Sequence, residues 1–105
     1  MAVITSGDWF AKAGGEAEFQ ALWRQMSTVA SAEVDPTGWS ILLRDRENPR
    51  HFISFSRWND EAAVVRWRDG VGLSRFMNGL TELLEHADSS LFEVAEVVGD
   101  TQLKL

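Results

Sequence analysis

Asp8 lies in an apolar stretch of chain, with Gly7 before it and Trp9-Phe10 after it. A carboxyl desolvated there would have a raised pKa and could act as a general base toward a phenolic or activated C–H proton. Strand alternation offers Asp8 a plainer position, turned to solvent or to an interface arginine. Trp67 is the second candidate, because its indole is a broad apolar wall carrying one N–H donor. The plainer use of such a ring is to pack its helix on a sheet. Ser54 and Ser56 share one strand parity with Trp58, so their hydroxyls could bond a ligand or their own strand. Gly7 would leave open space and bare backbone beside a bound molecule. Arg57, Arg66, Arg68 and Arg75 crowd around the following helix. They could orient an anion at a pocket mouth, or pair with Asp60, Glu61 and Asp69 on a solvated face.

Composition narrows what these residues can be used for. The chain has 105 residues, room for one domain with one core spanning residues 1–105. A chain of that size leaves much of its surface unburied, so a partner surface would help it. Net charge is −6, and no Lys/Arg cluster in the sequence is longer than the loose scatter of Arg44, Arg46 and Arg50. Nucleic acid and anionic membrane surfaces are therefore not expected partners, since both are bound through clustered positive charge. There is no cysteine, which removes disulfides and thiolate chemistry, and two histidines do not make a His-rich metal site. No resident metal or cofactor is expected. The N-terminus lacks a basic region and meets Asp8 early, and the longest aliphatic run is Ala62 to Val65, so a cytoplasmic location is expected. Five tryptophans and six phenylalanines occur without a single tyrosine, so these rings must dominate the core, a pocket or both.

The elements that position the candidates follow from periodicity. Val3 to Lys12 reads as a strand ending at Gly14-Gly15. Phe19, Leu22, Trp23, Met26, Val29 and Ala30 then recur at the spacing of an amphipathic helix that Asp35-Pro36 closes. Trp39 to Arg44 and His51 to Trp58 read as a hairpin joined by a polar turn. Asn59 is the expected N-cap of a helix running to Asp69, broken at Gly70 and Gly72. A longer helix is expected over Leu73 to Ala87, carrying Phe76, Met77 and Leu80 on its apolar stripe, and a last strand over Leu91 to Val98. The order is β-α-β-β-α-β, a ferredoxin-like α+β arrangement with a four-stranded antiparallel sheet and helices on one face.

The strands are apolar on both parities. Trp39, Ile41 and Leu43 stand against Leu42, and Phe52 and Trp58 against Ile53 and Phe55. Helices cover one face, so the other is expected to close against a second copy in an isologous homodimer.

The segments AKAGGEAEFQALW, PTGWSILLRD, HFISFSRWNDEAAVVRW, FMNGLTELLE and LFEV, in that order, resemble the antibiotic biosynthesis monooxygenase family of dimeric α+β barrels. The anchors are Gly14, Phe19 and Trp23, then Gly38, Trp58, and Trp67 nine residues later. The resemblance implies a pocket between the sheet and the second and third helices, holding a small aromatic ligand. It implies a cofactor-independent monooxygenase acting on an aromatic polycyclic or quinol-type substrate that activates O₂ itself, while the protein contributes burial and orientation. Trp67 and Asp8 would be catalytic, and Gly7, Ser54, Ser56, Ala63, Phe76, Met77 and Leu80 would line the substrate. The chain departs from the family patterns at key places. Ala63 stands where the polyketide-oxidising branch has an asparagine, and Gly7 and Met77 stand where the haem-degrading branch has its amide and histidine. Haem is thus disfavoured, and a non-catalytic ligand-binding or structural dimer is the alternative to an enzyme.

Overall fold

The computed structural model describes residues 1–99. Strand β1 (Val3–Ala11) leads into helix α1 (Glu16–Glu33) and then the hairpin of β2 (Trp39–Arg44) and β3 (His51–Trp58). Three short helices follow, α2 (Glu61–Asp69), α3 (Val71–Ser74) and α4 (Met77–Leu83), before β4 (Leu84–Glu93). The strands form one antiparallel sheet in the order β2-β3-β1-β4, the ferredoxin-like α+β arrangement.

Register assigns each side chain to a face. Phe52 lies opposite Trp9 on β1 and opposite Arg44 on β2. Side chains on that parity meet the helices. There Phe19 of α1, fully buried, sits between the rings of Trp9 at 5.4 Å and Phe52 at 5.1 Å. Met26, Leu80 and Ala11 complete the buried cluster, and Trp23, Leu42, Trp67, Leu73 and Phe76 pack around it. Tilted ring pairs of this kind add to the large area that each aromatic removes from water. The stripe read from the sequence of α1 is thus the face that holds the helix to the sheet.

The hairpin turn is held by its own polar side chains. One Asp45 oxygen accepts from the backbone N–H groups of Glu47 and Asn48, and the Asn48 side chain accepts from Arg50 N–H. These are the local bonds that make Asp and Asn favoured in turns.

Three expectations are corrected. The N-cap of α2 is Asp60, whose carboxylate accepts from Ala63 N–H at 2.9 Å, rather than Asn59. The expected long helix is two pieces, interrupted at Arg75 and Phe76, and it ends at Leu83 rather than Ala87. The last strand therefore begins at Leu84 and ends at Glu93, and Val94 to Val98 lie outside it. Local pattern misled here because Glu85 to Ser90 is polar with no strand alternation. The free edge of nine-residue β1 supplies a backbone ladder to that segment instead, pairing Ser89 with Gly7 and Phe92 with Ile4, with one register shift between Phe10 and Ala11. The tail expected over Gly99 to Leu105 falls outside the described residues except for Gly99.

On the opposite parity the sheet presents Ile4, Phe10, Trp39, Ile41, Leu43, Ile53, Phe55 and Phe92. Among the described residues no helix covers this face, and Leu43 and Phe92 remain about half exposed, at 49% and 51%. Replacing Phe19 or Phe52 with alanine should cost about 3–5 kcal/mol of unfolding free energy, measured by urea denaturation. A loss below about 1 kcal/mol would mean that this ring stack is not the core.

Candidate ligand-binding cleft

Three successive rows of the helix-facing side differ in side-chain size. The row through Ala87, Trp9, Phe52 and Arg44 is bulky. The next two rows run Ser89–Gly7–Ser54–Leu42 and Leu91–Thr5–Ser56–Ser40. Small and hydroxylated residues under a helix layer leave room above the sheet. Trp58 then closes the far end of β3, buried, with its indole N–H donating to Thr5 Oγ1 at 2.9 Å. Trp9 leans back over Gly7 and donates its indole N–H to Ser54 Oγ at 2.9 Å. A β-carbon at Gly7 would collide with that indole and with the Ser54 hydroxyl, so glycine is what lets the ring lie flat there. Ser40 and Ser56 share a hydroxyl–hydroxyl bond of 2.8 Å.

Two clefts open between α1 and the β2–β3 side of the sheet. The larger, about 550 Å³, is walled by Trp23, Ser27 and Ser31 of α1, by Ser40, Ser56 and Trp58 of the sheet, and by the connection from Asp35 to Gly38. A second, about 470 Å³, continues along Gln20, Trp23, Arg24, Leu42, Arg44 and Phe52. Both volumes fall in the range of sites for small organic ligands.

The Asp35 carboxylate locks the end of the larger cleft. One oxygen accepts from the Thr37 backbone and hydroxyl at 3.1 and 2.7 Å, and the other accepts from Asn59 N–H. Burial pushes this carboxyl up, but the Thr37 and Asn59 bonds and the nearby Arg57 charge outweigh it and hold the pKa below the usual value. Asp35 is therefore an anchor, poorly suited to take a proton.

The candidates read from the sequence are divided among three places. Ser56 lines the larger cleft, and Ser54 stands one pair away with its hydroxyl engaged by Trp9. Gly7 lies under the Trp9 indole. Trp67, Phe76 and Leu80 belong to the packed helix–sheet core, with Trp67 laid against Gly72. Ala63 is buried in the first turn of α2, and Met77 is about half exposed. Those five helical residues line neither of these two clefts, which both lie beside α1. Trp23, Ser40 and the Asp35 junction were missed as site residues. Trp23 has the spacing of a core stripe, and Ser40 becomes visible only when register sets it against Ser56.

Asp8 is turned away from all of these, to the open face, the second of the two positions that strand alternation offered it. Its carboxylate meets His51 Nε2 at 2.6 Å, while His51 Nδ1 meets Asp45 at 3.0 Å and the ring stacks on Phe10 at 4.3 Å. Bonds to Asp45 and Asp8 raise the His51 pKa above its ordinary value, and the same contact with His51 lowers that of Asp45. Among the described residues no group of three or more histidines and carboxylates could hold a metal ion, and no helix is long and apolar enough to cross a membrane.

The model of the family described as antibiotic biosynthesis monooxygenase matches residues 3–79. The chain belongs to that family. Solved structures with the same fold include the cofactor-independent oxygenase SnoaB from Streptomyces nogalater, with a TM-score of 0.82 and 19% identity over 94% of this chain and 98% of that one. A Mycobacterium tuberculosis protein matches with a TM-score of 0.77 and 16% identity over 94% and 100%. A Pseudomonas aeruginosa protein matches with a TM-score of 0.73 and 22% identity over 90% and 95%. No curated protein matches in sequence. At these identities the likeness to solved structures is one of fold, and within the antibiotic biosynthesis monooxygenase family the cleft has to be read from its own residues.

The His51 clamp has a pH signature. A histidine whose folded pKa is raised adds stability that is complete below its unfolded value of about 6.5 and fades as pH rises through the folded value. The Tm gap between the wild type and His51→Gln should therefore be larger at pH 6 than at pH 9. An equal gap at both would show that His51 is not held as an imidazolium.

Proposed function

We propose that this protein is a cofactor-independent monooxygenase-type member of its family that holds an aromatic polycyclic or quinol-type substrate in the cleft between α1 and the sheet. The observation that carries the reading is the cleft wall, which brings Trp23 and Trp58 together with Ser40 and Ser56, whose hydroxyls bond each other. Indole faces suit a flat conjugated ring, and paired hydroxyls can orient its oxygen substituents. In this reading the electron-rich substrate reduces O₂ itself, and the protein contributes orientation and exclusion of water. Family membership supports it, as does the fold shared with an oxygenase described as cofactor-independent.

One observation favours a second reading, a ligand-binding dimer without turnover. The carboxylate that lines the cleft, Asp35, is saturated with hydrogen bonds and held ionised, so it is a weak base for deprotonating a substrate.

Oxygen consumption by the purified protein with a panel of anthrones and quinols, read beside quenching of tryptophan fluorescence, separates the two. Turnover that drops about tenfold or more in a Ser40→Ala/Ser56→Ala double variant supports the enzyme, given what one hydrogen bond contributes. Quenching without oxygen uptake supports the binder.

The open sheet face completes the proposal. We infer that it pairs with the same face of a second copy, since Leu43, Ile53 and Phe92 would otherwise leave a broad apolar surface in water. Sedimentation at micromolar concentration should give a dimer, and Leu43→Arg with Ile53→Arg should shift it to monomer. A wild-type monomer would overturn the pairing.

A further inference from the structure

The two clefts share Trp23 and Arg24 and so form one groove along α1. In a chain of net charge −6, that groove is cationic, with Arg24, Arg44 and Arg57 in its walls against the single carboxylate of Asp35. Arg44 is already engaged, since it donates to Gln20 at 2.9 Å and lies over the Phe52 ring. Arg57 is not. It is only 7% exposed, its Nε has no hydrogen-bond partner, and one terminal nitrogen reaches the Thr37 carbonyl at a long 3.5 Å. Asp35 gives it a neighbouring opposite charge, but both Asp35 oxygens are occupied by Thr37 and Asn59. Buried donors in folded proteins are almost always satisfied, and leaving one unmade is costly. A guanidinium presents Nε and a terminal nitrogen as a planar fork, matched to the two oxygens of a carboxylate.

We infer that the groove contains an oxyanion subsite in which Arg57 is the specificity-determining residue, taking a carboxylate or ionised phenol oxygen borne by an aromatic ring that lies against Trp23 and Trp58. This rests on the reading of the cleft as a substrate site and narrows it to acidic aromatics. Arg57 stands on the open-face parity of β3, its backbone lies against Gly38, and a terminal guanidinium nitrogen reaches the Thr37 carbonyl in the connection that ends the cleft. In this proposal the guanidinium turns on binding, so that its buried, unpartnered Nε–H meets the incoming oxygen. The acceptor missing from the protein is then supplied by the ligand.

The test compares 2-naphthoate with 2-naphthalenemethanol, its neutral counterpart, by anaerobic calorimetric titration of the full-length protein. The acid should bind about tenfold to a hundredfold more tightly, the value of a charge-assisted hydrogen bond in a partly buried site. The Arg57 Nε–H resonance, followed in ¹⁵N-labelled wild type, should move downfield as the acid binds, a reading that needs no variant. Arg57→Gln should bring the two ligands to within about twofold of each other, a difference of under half a kcal/mol. Arg68→Gln, on the exposed surface beside Asp69, should keep the preference. Equal binding of acid and alcohol to the wild type, an unmoved Nε–H resonance, or a preference that survives in Arg57→Gln would each overturn the subsite. Oxygen uptake plays no part in these readings. A preference for the acid without turnover therefore counts against the oxygenase alone, and turnover of neutral quinols without that preference counts against Arg57 alone.

Discussion

Alternation across the β1–β3 pair is the constraint on which the rest of the structure depends. It places Trp9, Ala11 and Phe52 toward α1, where Phe19 fills the gap between two rings. The same alternation sends Asp8, Phe10 and His51 to the other face, where an imidazole is clasped between two carboxylates. A shift of one residue in this register would exchange the two sets, burying the charged clamp under helices and exposing the core. The aromatic stack is therefore what holds the register as well as the helix.

Cleft and core are consecutive rows of one surface. Large rings in the row of Trp9 and Phe52 press α1 against the sheet, and small hydroxylated residues in the next two rows let the layers stand apart. The indoles of Trp9 and Trp58 bridge that change in size by bonding to Ser54 and Thr5. Serine and threonine inside a sheet facing helices would ordinarily weaken packing. Here two of those hydroxyls satisfy ring N–H groups, and two more bond each other at the cleft wall.

The fold was legible in the sequence wherever side-chain pattern and tertiary demand agree. Strands β2 and β3 occupy Trp39–Arg44 and His51–Trp58 as expected, and the stripe on α1 from Phe19 to Met26 is the buried one. The pattern failed where backbone pairing outweighs composition. Glu85 to Ser90 looks like a polar helix end, yet the free edge of β1 draws it into β4. The site was less legible than the fold. A lone carboxylate between apolar residues gives no hint of which way the pleat turns it, and Asp8 was turned outward to His51. Trp67 has the ring of a ligand wall and the spacing of a core residue, and it packs on the core and Gly72. The cleft residues Ser40, Ser56 and Trp23 come from three elements, and only the strand order and register bring them together.

The position of the groove on the sheet has its own mechanical meaning. One of its walls is β2, which among the described residues pairs with β3 alone and lies at the edge of the sheet. An edge strand can swing outward as a flap without tearing a second ladder, whereas β3, clasped by β1 and β2, stays fixed. The Asp35 junction pins the start of this flap through Thr37 and ties it to Asn59 just beyond β3. The far end is held as well, by the Arg44 bond to Gln20 and by the Asp45 turn that joins β2 to β3, so this wall of the groove is anchored at both ends and any give in it falls between them.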